Sequence, residues 1–102
     1  MFIDDFEKAL KKYPDHTGNL KMFQALMADL FPKEKKWANL IVSLYKLQIV
    51  ERIQKEKELN NAVFFAMKKT LIENYATSDV DASEAVRIWF VTYGERILKK
   101  PC

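Results

Sequence analysis

Residues 81–98 read DASEAVRIWFVTYGERIL, and the way this stretch is read decides the fold. Asp81 has N-capping chemistry, and Glu84 follows it in the D-x-x-E spacing of a capping box. Gly94 stands toward the other end, where a helix can close on a left-handed residue, so the spacing predicts a helix capped by Asp81 and ended by Gly94. Each helical residue turns the chain by ~100°. With Ala85 at zero, Trp89, Ala82, Tyr93, Val86 and Phe90 fall between ~40° and ~140°, one broad apolar stripe. Ile88 and Val91 fall near ~300° and ~240°, beside Glu84 and Arg87. The helix therefore carries two apolar faces. Either both are covered inside the molecule, for instance by the first helix or by Ile97 and Leu98, or the second face meets another molecule.

The rest of the chain is written in the same helical period. Two glycines and three prolines in 102 residues are too few turn formers for a sandwich or a barrel. Seven Phe, four Tyr and two Trp supply large core side chains. A first helix is predicted over residues 3–12, with Phe2, Phe6, Ala9, Leu10 and Tyr13 as its stripe and Pro14 as its stop. LKMFQALMADLF, 20–31, is a second, capped by Asn19 or Thr17, with Leu20, Phe23, Leu26, Met27, Leu30 and Phe31 on one face. KEKKWANLIVSLYKL, 33–47, is a third, with Trp37, Leu40, Ile41, Leu44 and Leu47 at core spacing. A short fourth uses Ile49, Val50 and Ile53. AVFFAMKKTLIENY, 62–75, is a fifth, capped by Asn60 or Asn61, with Phe65 and Ile72 beside its main stripe of Val63, Phe64, Met67, Leu71 and Tyr75. The expected fold is all-α: one domain over residues 1–102, a compact bundle of five to six short helices. Its core lies between about residues 2 and 98, and KKPC forms a frayed tail over 99–102.

Charge and chemistry narrow the function. The net charge is +3, and the excess sits in residues 32–75, where nine basic side chains face five acidic ones. Lys33, Lys35 and Lys36 crowd the start of the third helix against its dipole. His16 is alone in the PDHTGN turn and Cys102 is the one cysteine, too few nitrogen and sulfur ligands for a zinc site. Gly18 and Gly94 are isolated, so no glycine-rich phosphate loop exists. The acid pairs Asp4/Asp5 and Asp79/Asp81 lie at a helix start and in a loop, without the paired environments that general acid and base work needs. No catalytic residue, metal, cofactor or small-molecule substrate is expected. The lone thiol points to a reducing, cytoplasmic compartment, and no apolar run approaches the ~20 residues of a membrane span.

AVRIWFVTYG has the form A-V-x-x-W-x-x-x-x-G, and LFPKEKKWANLIVSLYKLQIVERI has the form F-P-x-E-K-x-x-x-N-L-I/L-V before a short apolar helix. Together they resemble a small all-helical module of bacterial proteins that accompanies zinc-ribbon, forkhead-associated or other signalling domains. The resemblance covers about residues 25 to 95 and implies a helical accessory or scaffolding domain with no catalytic residue. Where that pattern has a glycine before the fourth helix, this chain reads YKLQ.

Two functions fit these readings. One is a non-catalytic module that binds another protein, or its own copy, through Trp37, Phe65, Ile88 and Val91. The other is a small helix-turn-helix nucleic-acid binder, with Lys33, Lys35, Lys36, Lys55 and Lys57 on phosphates and Gln48, Arg52 and Gln54 at base edges.

Overall fold

The computed structural model describes residues 2–100. Among them are six α-helices and no strand: α1 (Phe2–Lys12), α2 (Leu20–Leu30), α3 (Lys35–Lys46), α4 (Ile49–Lys55), α5 (Asn61–Tyr75) and α6 (Asp79–Trp89). A 3₁₀ turn over Pro14–Gly18 joins α1 to α2, and a π-helical segment, Phe90–Ile97, continues α6. The radius of gyration is 12.5 Å, that of one packed body. The all-α bundle of five to six helices is the fold observed.

α6 and its π continuation run through the middle of the molecule. α3 and α5 pack on the α-helical part, and α1 and α4 pack on the π part. Trp89 sits where the two parts meet and is fully buried. Its ring lies 5.1 Å from Phe6 of α1, 5.7 Å from Phe23 of α2 and 6.0 Å from Tyr93. Its indole N–H donates to the carbonyl of Ile41 in α3 (3.2 Å), which removes the cost of burying an unpaired donor. The apolar stripe read from the sequence is this core: Ala82, Ala85, Val86, Trp89, Phe90 and Tyr93 are all buried.

Ile88 is buried too, at 3% exposure, so the interior takes it and it is unavailable to an outside partner. The cause is that α6 has helices packed on more than one side. Gly94 is corrected as well. It does not end the helix. It lies inside the π segment, where a Cβ would stand 2.3 Å from Leu59 Cδ1. The missing side chain lets the α4–α5 connection close onto the helix. The π turn is wider by one residue, as the Leu98 N–H bonding five residues back to the Tyr93 carbonyl shows (2.9 Å).

The caps divide in the same way. Asn19 and Asn60 cap α2 and α5, accepting from the N–H of Met22 (3.1 Å) and Val63 (3.0 Å). Ser78, not Asp81, caps α6 by accepting from the Asp81 N–H (3.2 Å). Asp79 and Asp81 then lie in the first turn, where the helix dipole favours carboxylates. α2 buries Phe23 and Met27 while Leu20 and Leu30 stay exposed, a narrower face than its six-residue stripe predicts. α3 is rolled toward Ala38 and Val42, leaving Trp37, Leu40 and Leu47 half-buried. At the far end of the described residues, Lys100 is hydrogen-bonded to the body of the chain. The Lys100 N–H donates to the Gly94 carbonyl (2.9 Å), and its ammonium donates to the carbonyls of Gln54 (2.9 Å) and Glu56. The end of the predicted tail, including Cys102, falls outside the described residues.

The turn between α3 and α4 has the geometry its sequence lacks the residue for. Gln48 takes the left-handed conformation at φ 67°, and Ala76, which closes α5, takes φ 52°. A side chain there costs about 1–2 kcal/mol, partly offset by the entropy a glycine would lose on folding. Gln48→Gly and Ala76→Gly are each expected to stabilise the chain by about 0.5–1 kcal/mol. Urea titration followed by circular dichroism checks this, and a loss of stability in both would show that neither site is strained.

Candidate functional site

The residues proposed for a partner face do not all meet. Phe65 projects from α5 at 56% exposure, the largest exposed aromatic surface among the described residues. Its ring stands edge-on to Phe64 (6.1 Å), which stands edge-on to Phe90 (5.6 Å). A file of three rings thus runs from solvent into the core. Val91 is half-buried and shares with Phe64, Phe90 and Leu59 the wall of a cleft of ≈ 540 Å³. Phe65 and Val91 are therefore gathered around Phe64. Trp37 lies on another element, half-buried under the ammonium of Lys36, 5.2 Å from the ring centre.

One residue belongs to this face that the sequence reading missed. Val80 is 77% exposed at the head of α6. Val80, Glu84, Arg87 and Val91 recur at i, i+4, i+7 and i+11, which is one stripe of a helix. That spacing was legible. An Asp81 cap hides it, because the helix then begins after Val80.

The face is braced by charge. The ammonium of Lys68 lies 4.9 Å from the Phe65 ring centre and 2.9 Å from Asp79, so it joins Phe65 to the first turn of α6. Lys36 pairs with Asp81 (3.1 Å) across the same turn from α3. Between Val80 and Val91, Arg87 makes a two-pronged contact with Glu84, through Nε at 3.0 Å and through Nη2. Hydrogen bonding to Arg87 holds the Glu84 carboxyl below its usual range, and Glu84 holds the Arg87 guanidinium above its own. The result is an apolar surface interrupted by a neutralised ion pair, a composition that suits a protein partner better than a phosphate backbone.

The five lysines of the nucleic-acid reading are divided between three clefts and the end of α4. Lys33 lines a cleft between α1 and the chain after α2, Lys35 lines one between α2 and α3, and Lys36 borders one between α3 and the head of α6. Three near neighbours in sequence thus border three adjoining clefts. Lys55 and Lys57 stand exposed at the end of α4 and beyond it. α4 buries Ile49, Val50 and Ile53. Arg52 pairs with Glu56 (3.1 Å), and the Gln54 amide donates to the Tyr93 hydroxyl (2.7 Å). Gln48, Arg52 and Gln54 all remain exposed, the last two with partners inside the chain.

The remaining polar groups are tied to structure. His16 packs edge-on to Tyr13 (5.1 Å), with its Nδ1 enclosed and no protein hydrogen-bond partner. Arg96 of the π segment reaches Asp4 (3.5 Å) and Glu7 of α1. That contact, with Lys11 beside it, holds the Glu7 carboxyl below its usual range. Among the described residues no group of three or more His, Cys, Asp or Glu side chains could hold a metal ion. No helix of the described residues is long and apolar enough to cross a membrane.

No protein-family model matches the chain, and no curated protein and no solved structure matches it.

Proposed function

We propose that the chain is a non-catalytic helical interaction module, an accessory part of a bacterial cytoplasmic protein, and that its partner protein sits on the face carrying Phe65, Val80 and Val91. The observation that carries this reading is Phe65, an aromatic ring left 56% exposed on the second-longest uninterrupted run of helix and braced by Lys68. Exposed aromatics of this kind contribute disproportionately to binding when covered. The resemblance in AVRIWFVTYG supports the bacterial accessory role, and the single thiol supports a reducing compartment.

The test is a paired pull-down from bacterial lysate with the wild-type chain and Phe65→Asp as baits. A protein recovered by the wild type and lost by Phe65→Asp is expected, and its affinity for the purified chain should fall at least tenfold, about 1.4 kcal/mol, on the same substitution. Recovery of the same proteins by both baits would remove this face from the proposal. Because Phe65 is already exposed, circular dichroism of the variant should match the wild type.

A further inference from the structure

We infer that a second copy of this chain docks on the outer face of α2, antiparallel to it, about a two-fold axis at Ala25. Every residue of α2 except Lys21, Gln24 and Asp29 is apolar, yet the helix buries only Phe23 and Met27. It packs on α3 and on the 3₁₀ turn. On its outer side, Lys21, Met22, Ala25, Ala28 and Asp29 form one helical stripe, within ~60° of Ala25 to either side. All five are exposed, Met22 at 42%.

The two charges of the stripe stand at the wrong ends of their helix. Lys21 lies in the first turn, at the positive end of the dipole, and Asp29 in the last, at the negative end. α1 has the favourable order, with Asp4 and Asp5 in its first turn and Lys11 and Lys12 in its last. Neither Lys21 nor Asp29 makes an ion pair with any described residue. Each is four positions from Ala25. A two-fold axis through Ala25 therefore sets Lys21 against Asp29 of the second copy, and Asp29 against its Lys21. The same pairing brings a carboxylate to the positive end of each α2 and an ammonium to the negative end. A parallel pairing sets like on like. On the axis, Ala25 meets Ala25, so no large side chain holds the helices apart. Met22 meets Ala28, which lines a cleft of ≈ 470 Å³ between α2 and α3. An exposed, flexible thioether thus stands opposite a hollow. The charged residues lining that cleft, Lys35 and Lys46, are both positive, which favours the approach of the second copy's Asp29. One short helix on another is a small interface, so the dimer belongs at the weak end of specific association. This surface is separate from the Phe65 face and stands whether or not that reading does.

The experiment is light scattering on a sizing column with reductant, from micromolar to near-millimolar chain at low salt. The wild type is expected to show a concentration-dependent dimer that weakens as salt rises. Lys21→Glu and Asp29→Lys should each weaken it about tenfold or more, because each reversed charge acts twice about the axis. Each reversal also puts a charge where the dipole of α2 favours it, so melting of the dilute monomer should not fall. An equimolar mixture of the two single variants should form a heterodimer, and the double variant Lys21→Glu/Asp29→Lys should dimerise again. Phe65→Asp should leave the wild-type dimer unchanged. A wild type that stays monomeric throughout, or a dimer indifferent to the single reversals, overturns the inference. So does a mixture of folded single variants that fails to associate.

Discussion

Trp89→Ala is expected to destabilise the chain by about 3–5 kcal/mol, the range for emptying a large aromatic site in a packed core. The loss is large because Trp89 is the point at which helices separated in sequence touch. It contacts Phe6 of α1 and Phe23 of α2 through its ring and Ile41 of α3 through its N–H. At about 4–8 °C per kcal/mol for a chain of this size, melting should fall by about 12 °C or more. Trp89→Phe keeps most of the ring contact and gives up the hydrogen bond and part of the volume, so it should cost less than Trp89→Ala, about 1–3 kcal/mol. Thermal and urea unfolding followed by circular dichroism measure both. A Trp89→Ala loss below about 1 kcal/mol would mean that the three helices are held together without it.

Gly94→Ala carries the second large effect, and its sign is the informative part. Inside an ordinary helix, replacing glycine by alanine stabilises by up to about 1 kcal/mol. Here the new Cβ meets Leu59 Cδ1 at 2.3 Å, and Leu59 is itself buried, so overpacking at about 1–3 kcal/mol should win. A net loss of about 1–2 kcal/mol is expected. Leu59→Ala alone should cost about 2–4 kcal/mol by leaving a cavity. The two together should cost less than their sum by about 1 kcal/mol or more, since the added methyl enters the space the leucine vacates. Strict additivity in this cycle would mean that the two side chains do not compete.

The sequence carried the helices, the Asn19 and Asn60 caps and the Trp89 stripe because each of these depends on residues within one or two turns of one another. What it concealed depends on neighbours. A glycine that ends a helix and a glycine that another segment leans on look alike along the chain, which is why Gly94 read as a cap. The helical projection of Ile88 was sound, but a single helix does not state how many others surround it. α3 buries Ala38 and Val42 beside Ile41 and Leu44, a rotation about its axis that the packing of its neighbours decides and apolar spacing alone does not express. For the candidate surface, Phe65 was legible as a residue off the main stripe. Val80 is not legible from an Asp81 cap, because α6 starts three residues earlier, after Ser78.

The central position of α6 has a consequence for how the molecule comes into being. The helix that completes the core is the sixth in chain order, and Arg96 reaches back to Glu7, 89 residues earlier. During synthesis at about 5–20 residues per second, α1 to α5 therefore emerge seconds before the element they close around. Phe6 and Phe23 wait through that interval without their tryptophan. Docking of α6 onto Phe6 and Phe23, rather than any local helix formation, is the step that completes the core.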